Sequence, residues 1–281
     1  MSSFFSEIRK PSINQISQIY YIKTLQNRLS SNLTDNFTVK YYPDNYTSVV
    51  SPNIIDKCKR LLHRDAWYLD KHLSQEVSII TNLQKIIKYG DKQNIILDVG
   101  GGNGCLAYLC GKILEIPAIV VDRKKPDKSV DHNTDLDFTY YRRIVTDLKD
   151  FNIGEFANYN VYIIAKHLCG TGLDIVIRFI IENTSLIAGF VLAPCCYNKG
   201  TYYEPMYGNF LTNSEWDTLS KVTEYKSYKM ISTPYFKLGC DSENILNNIR
   251  MYYLEKYYTL RYVQYTNVQL TPKNLLIIGN R

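Results

Sequence analysis

Apolar positions follow two kinds of pattern along the chain. Between residues 11 and 30, Ile13, Ile16, Ile19 or Tyr20, Ile22, Leu25 and Leu29 recur near helical spacing, which predicts an amphipathic helix. Residues 31–57 are polar and rich in Asn, Asp, Tyr and Pro, the composition of a loop or extended arm. A longer helical pattern runs from about Asp65 to Tyr89, with Trp67, Leu69, Leu73, Val77, Ile80, Leu83 and Ile87 inward and Gly90 closing it. Beyond it, short apolar runs alternate with helical patterns. Strands are predicted at 95–99, 118–122, 140–145, 161–165, 187–193, 257–265 and 274–279, and helices at about 103–114, 171–183 and 243–255. Continuous apolar strands separated by helices describe an α/β fold, a seven-stranded, mostly parallel sheet covered on both faces. The organisation expected is an N-terminal helical and extended arm over 1–64 and one sheet domain over 65–281.

In such sheets the ligand crevice lies beyond the carboxyl ends of the strands. The first strand ends at Asp98 and enters a turn in which Gly100, Gly102 and Gly104 give a G-x-G-x-G spacing. Glycines let the backbone adopt unusual dihedrals and approach a charged cofactor closely. The second strand ends at Asp122 and the third at Thr146-Asp147. Asp98 can receive an ammonium, Asp122 the two hydroxyls of a ribose, and Asp147 the exocyclic amine of an adenine. Together these suit S-adenosylmethionine (SAM), and the sheet reads as a Rossmann-like SAM-dependent methyltransferase fold with an N-terminal helical extension. A dinucleotide would prefer G-x-G-x-x-G, but here the last glycine comes one residue early and Cys105 takes its place.

The fourth strand runs into Lys166-His-Leu-Cys-Gly170 and the fifth into Pro194-Cys-Cys-Tyr-Asn-Lys199, so both loops converge on that crevice. Methyl transfer needs an activated nucleophile held in line with the methyl carbon. Lys166, as a cationic field, and His167, as a base, are the candidates for activating a weakly acidic hydroxyl. Cys195, Cys196 and Tyr197 are expected to shape the floor of the site. A cysteine after the fifth strand also leaves open an RNA cytosine-5 methyltransferase, in which Cys195 or Cys196 attacks the base. Such an enzyme needs a carboxylate at the end of the fourth strand, where Lys166 and His167 stand instead. The cysteines and His167 lack paired C-x-x-C spacing, so no metal site is expected.

Composition narrows this little. Thirty-three basic against 27 acidic residues give a net charge of +6, which is compatible with a polyanionic partner without requiring one. The longest apolar run, Leu186 to Cys196, is about half of what a bilayer demands. Seven cysteines without a framework pattern, and an N-terminus without a signal-peptide core, point to an intracellular setting, cytoplasm or nucleus. The 25 tyrosines, many in doublets, read first as compositional drift alongside Ile, Asn and Lys, with base stacking as the alternative.

With these residues in view, the chain resembles the eukaryotic tRNA 2′-O-ribose methyltransferases that modify position 4 of the acceptor stem. The matching segments are Lys71-His-Leu-Ser-Gln-Glu-Val-Ser-Ile-Ile80, Asp98-Val-Gly-Gly-Gly-Asn-Gly104, Lys166-His-Leu-Cys-Gly170 with Asp174, and Ala193-Pro-Cys-Cys-Tyr197. Val263-Gln-Tyr-Thr-Asn267 and Pro272-Lys-Asn-Leu-Leu-Ile277 complete the set. The resemblance implies SAM as cofactor, tRNA as partner and a ribose 2′-hydroxyl as acceptor. It departs from the family twice. Residues 1–57 hold neither Cys nor His, so the family's N-terminal zinc fingers are not expected there, and Tyr197 and Asn198 stand where histidines often follow the Cys-Cys pair. The grip on tRNA would then fall to Arg60, Arg64 and Lys71, with Lys124, Lys125 and Lys128 beside the cofactor cleft. A SAM-fold RNA-binding protein without catalysis is the rival from another class.

Overall fold

The computed structural model describes residues 13–30, 52–62, 68–166 and 168–281. The strands are β1 (Gln93–Val99), β2 (Ala118–Asp122), β3 (Tyr141–Val145), β4 (Tyr159–Lys166), β5 (Ile187–Ala193), β6 (Thr259–Gln264) and β7 (Leu275–Asn280). They form one sheet in the order β3-β2-β1-β4-β5-β7-β6, in which β7 alone runs against its neighbours. The order reverses between β1 and β4, which makes the space beyond their carboxyl ends the switch-point crevice of the sheet.

Helices α1 (Ile13–Ser30), α2 (Pro52–Leu61), α3 (Ser74–Ile86), α4 (Cys105–Leu114), α5 (Gly172–Glu182), α6 (Glu204–Tyr207), α7 (Asn213–Val222) and α8 (Pro234–Leu254) cover both faces. Side chains alternate across a strand, and here both sides of the alternation are apolar. Ile95, Leu97, Ile163 and Leu192 face one core with α1, α5, α7 and α8. Ile96, Tyr162, Ile164 and Val191 face the other with α2, α3 and α4. The two N-terminal helices therefore divide between the faces. Ile22, Leu25 and Leu29 of α1 lie in the first core and Cys58 of α2 in the second.

All seven strands form where apolar runs predict them, trimmed or extended by one or two residues at most. The helices differ more. Residues 52–57, which read as part of a polar loop, open α2 instead, because Pro52 fits the first helical position and Cys58 turns into the core. The remainder of that loop, 31–51, lies outside the described residues, as do Arg64, Trp67 and His167.

The single helix expected over 65–89 is a π-helical turn, Leu69–Leu73, followed by α3. It ends at Ile86 because Ile87 is extended, and Gly90 takes no part in a cap. The wider turn is bridged by Gln75, whose Nε2 donates to the Lys71 carbonyl at 2.6 Å. α8 begins at Pro234, nine residues before the apolar spacing shows it, and nothing in that spacing predicts α6 or α7. No helix among the described residues is long and apolar enough to cross a membrane.

Candidate active site

The glycine turn is built on left-handed backbone. Gly100, Gly102 and Gly104 have φ of 67°, 53° and 79°, values that side-chain-bearing residues rarely adopt. A Cβ at Gly100 would strike Leu168 of the loop after β4, and one at Gly104 the Tyr141 hydroxyl. One at Gly101 would stand 2.5 Å from Asp98 Oδ2, so the turn wraps directly over that carboxylate.

Asp98 is 1% exposed, and neither of its oxygens makes a hydrogen bond of normal geometry. Burial pushes its pKa up to about 7. The Ala107 amide of α4, then Lys166 and Arg143, pull the other way without cancelling it. An orphaned buried carboxylate is costly unless something pairs with it, and an ammonium is its natural partner.

Asp122 is oriented by two backbone donors, Gly102 N to Oδ2 at 2.9 Å and Lys124 N to Oδ1 at 3.0 Å. Asp147 caps the short turn after β3, accepting from Lys149 N at 3.2 Å, and Thr146 N donates to the Asp122 carbonyl at 2.9 Å. Three acids thus stand at the ends of three adjacent strands. Beneath the turn, Arg143 Nε holds Asp131 Oδ2 at 2.7 Å, and Val130 N donates to the Asn103 carbonyl at 2.9 Å. This brace is not legible in the sequence, since Arg143 lies in a Tyr-Tyr-Arg-Arg run that gives no sign of burial.

The parallel register pairs Asp98 with Ile164, which puts Lys166 on the same face of the next strand, two residues further out. Its side chain is 7% exposed, and its Nζ stands 3.9 Å from Glu76 Oε1 of α3, which also accepts from the Tyr68 hydroxyl at 2.8 Å. Glu76 is a site residue that sequence reasoning misses. Its one signal is a carboxylate in the middle of an inward-facing helix pattern.

Cys169, Cys195 and Cys196 come together from the two loops, with all three sulfurs within 4.8 Å of one another. The Cys169 and Cys195 sulfurs are 3.2 Å apart. Hydrogen bonds from Cys169 and then Cys195 hold the Cys196 thiol far below the usual thiol range, while contacts with Cys169 and then Cys196 push Cys195 far above it.

Tyr197, placed on the site floor by its position, turns inward. It is 2% exposed, donates its hydroxyl to Asn247 Oδ1 at 2.6 Å, and stacks under the Arg250 guanidinium at 4.7 Å. Arg250 Nε in turn holds Asp174 Oδ1 at 2.7 Å, and the Tyr207 hydroxyl donates to the same oxygen at 2.9 Å. Of the candidate tRNA contacts, Arg60, Lys124, Lys125 and Lys128 are exposed and Lys71 is half-buried in the π-helical turn.

The family model described as Methyltransferase TRM13 matches residues 74–230, more than half of the 281-residue chain. No curated protein sequence matches the chain. Among solved structures, it is distantly similar to the apo SAM-dependent methyltransferase SibL, at 11% identity over 92% of this chain and 69% of that one, with a TM-score of 0.44. It is similar at 12% identity to the plantazolicin methyltransferase BpumL in complex with SAH, over 94% of this chain and 100% of that one, TM-score 0.41. A SAM-dependent methyltransferase of Methanococcus maripaludis is 14% identical over 87% and 96%, TM-score 0.41. With the match running from α3 through the glycine turn and the loops after β4 and β5, the chain belongs to the TRM13 family of SAM-dependent tRNA methyltransferases.

Proposed function

We propose that the protein methylates a ribose 2′-hydroxyl of tRNA, at position 4 of the acceptor stem. The observation that carries the reading is the placement of Lys166 beside Asp98 on adjacent strand ends, with the carboxylate needed for cytosine-5 chemistry missing from the end of β4. Glu76, the carboxylate paired with Lys166, is 2% exposed and already engaged by Lys166 and Tyr68. A thiolate-prone Cys196 keeps the cytosine-5 reading worth testing.

In this reading Asp98 receives the cofactor's ammonium, the backbone at Gly100, Gly102 and Gly104 allows its close approach, and Asp122 and Asp147 take the ribose hydroxyls and the adenine amine. When bound, SAM supplies an electrophilic methyl carbon. Lys166 holds a buried positive charge where a 2′-hydroxyl would shed its proton, and such a field stabilises developing alkoxide charge. His167 is the proposed proton acceptor. The exposed Lys124, Lys125 and Lys128 lie just after Asp122, where they can meet phosphates without reading sequence.

Product analysis tests the assignment. Incubation with tRNA and labelled SAM, followed by alkaline hydrolysis and nucleoside separation, is expected to leave label in an alkali-resistant 2′-O-methylated dinucleotide. Label recovered as 5-methylcytidine would instead establish the base reading. Lys166→Met is expected to lower kcat by on the order of 100-fold while leaving SAH affinity within about threefold, since the charge acts on the acceptor. An unchanged single-turnover rate in that variant would remove Lys166 from the reaction.

A further inference from the structure

We propose that Cys169, Cys195 and Cys196 form a thiolate metal site of the zinc class, joining the two loops that close the acceptor side of the crevice. Thiolates at the corners of a tetrahedron with metal–sulfur bonds of ~2.3 Å stand about 3.8 Å apart. The three sulfurs here all lie within 4.8 Å of one another, with Cys169 and Cys195 3.2 Å apart, a span that brackets that separation.

The loops do not rely on the thiols for their placement. Gly170 N donates to the Cys196 carbonyl at 2.8 Å, and Thr201 N donates to Thr171 Oγ1 at 2.9 Å. Gly170 takes a left-handed φ of 65°, and a Cβ on it would stand 2.6 Å from the Gly200 backbone. The sulfurs are therefore held together by backbone clamps on either side, which lowers the ordering cost of binding an ion.

Packing alone does not account for the cluster. Buried cysteines act as small apolar groups, but Cys169 is exposed and Cys196 only partly covered. Nor does a disulfide, which joins two thiols and would leave the third over. Three soft sulfur donors select zinc-like ions over magnesium or calcium. Each sulfur binds as thiolate, and every proton still on a thiol passes to solvent as the ion binds. The resulting trithiolate centre carries one net negative charge, and the Lys199 and Lys273 charges favour it electrostatically. The three sulfurs supply three of the four tetrahedral positions.

The test uses the full chain, purified with reductant and without chelator, and does not depend on which acceptor is methylated. Elemental analysis is expected to find zinc at one ion per chain. After stripping, titration with cobalt(II) is expected to produce thiolate-to-cobalt charge-transfer absorption. Cys169→Ser, Cys195→Ser and Cys196→Ser are each expected to weaken cobalt binding by on the order of 100-fold or more, while Cys58→Ala on α2 leaves it unchanged. SAH affinity, measured in parallel, shows that each serine variant is folded. Zinc protection of these three thiols from alkylation, read by peptide mass, provides the same information in the unaltered chain. Absence of zinc with no thiolate-to-cobalt band, a band that survives in the triple serine variant, or equal alkylation with and without zinc would each overturn the proposal.

Discussion

Asp98→Asn is expected to lose SAH binding by at least about 100-fold and yet to make the ligand-free protein more stable at pH 8. Both effects come from one buried carboxylate whose oxygens make no hydrogen bond of normal geometry. Its pKa stands at about 7 in the folded protein against 3.8 for the free group, because burial penalises the charge. A carboxyl whose folded pKa is raised binds its proton more tightly in the native state. Its contribution to stability is therefore intact below pH 4, declines as pH rises to 7, and is flat above that. The loss is on the order of 4 kcal/mol, because each tenfold change in proton affinity is worth ~1.4 kcal/mol.

Asparagine is a neutral isostere of the protonated form and removes this dependence. Thermal melts should find variant and wild type alike near pH 4 and the variant higher at pH 8. The ligand reverses the sign, since an ammonium against the carboxylate favours ionisation. Binding below pH 7 must then release a proton, and wild-type SAH affinity should fall by about tenfold per pH unit from 7 to 5. Calorimetric titration across that range measures it. SAH affinity in Asp98→Asn within threefold of wild type would remove Asp98 from the cofactor site.

The second large effect is structural and reaches the site from below. Arg250 and Asp174 are each 2% exposed at the side chain and pair at 2.7 Å. Removing one member of a buried pair strands the other's charge, which costs about 3–5 kcal/mol. Arg250→Met should therefore lower the melting temperature by about 5–9 °C for a chain of this size. The double variant Asp174→Leu, Arg250→Met should recover most of that loss, because no uncompensated charge remains.

Activity is expected to fall more than stability alone explains. Asp174 sits in the first turn of α5, just after the Lys166–Gly170 loop, and Tyr197 follows the Cys195–Cys196 pair. Arg250 touches both, through its ion pair with Asp174 and its stacking on the Tyr197 ring. It thereby anchors the two loops that carry the proposed chemistry. A single variant as stable as wild type would show that the pair contributes nothing net.

These two variants also mark where the sequence is informative. Asp98 is legible because a strand that ends on a carboxylate and enters a glycine turn is a local pattern, confined to a dozen consecutive residues. The same holds for Asp122 and for the strands themselves, whose apolar runs need no knowledge of what packs on them. Arg250 and Asp174 are 76 positions apart. Neither a buried arginine on an amphipathic-looking helix nor its partner leaves any local mark. The early turns of α8 are hidden for a related reason. Gly239 is a weak helix former, and Lys237 with Asp241 interrupts the apolar spacing, yet close packing of this turn on Tyr225 and Lys226 overrides both.

What the sequence determined by itself was the order of the strands, the parity of each strand and the acids at the strand ends, because these follow from short-range periodicity and from what glycine alone permits. What only the tertiary structure decided was which distant side chains share a space. Lys166 meets Glu76 across 90 positions, Tyr197 is drawn beneath the floor by Asn247 and Arg250, and three cysteines with no metal-binding spacing in the chain converge to within 4.8 Å. Those encounters depend on the sheet order that sets β4 between β1 and β5, and thereby brings the loops at their carboxyl ends over one crevice.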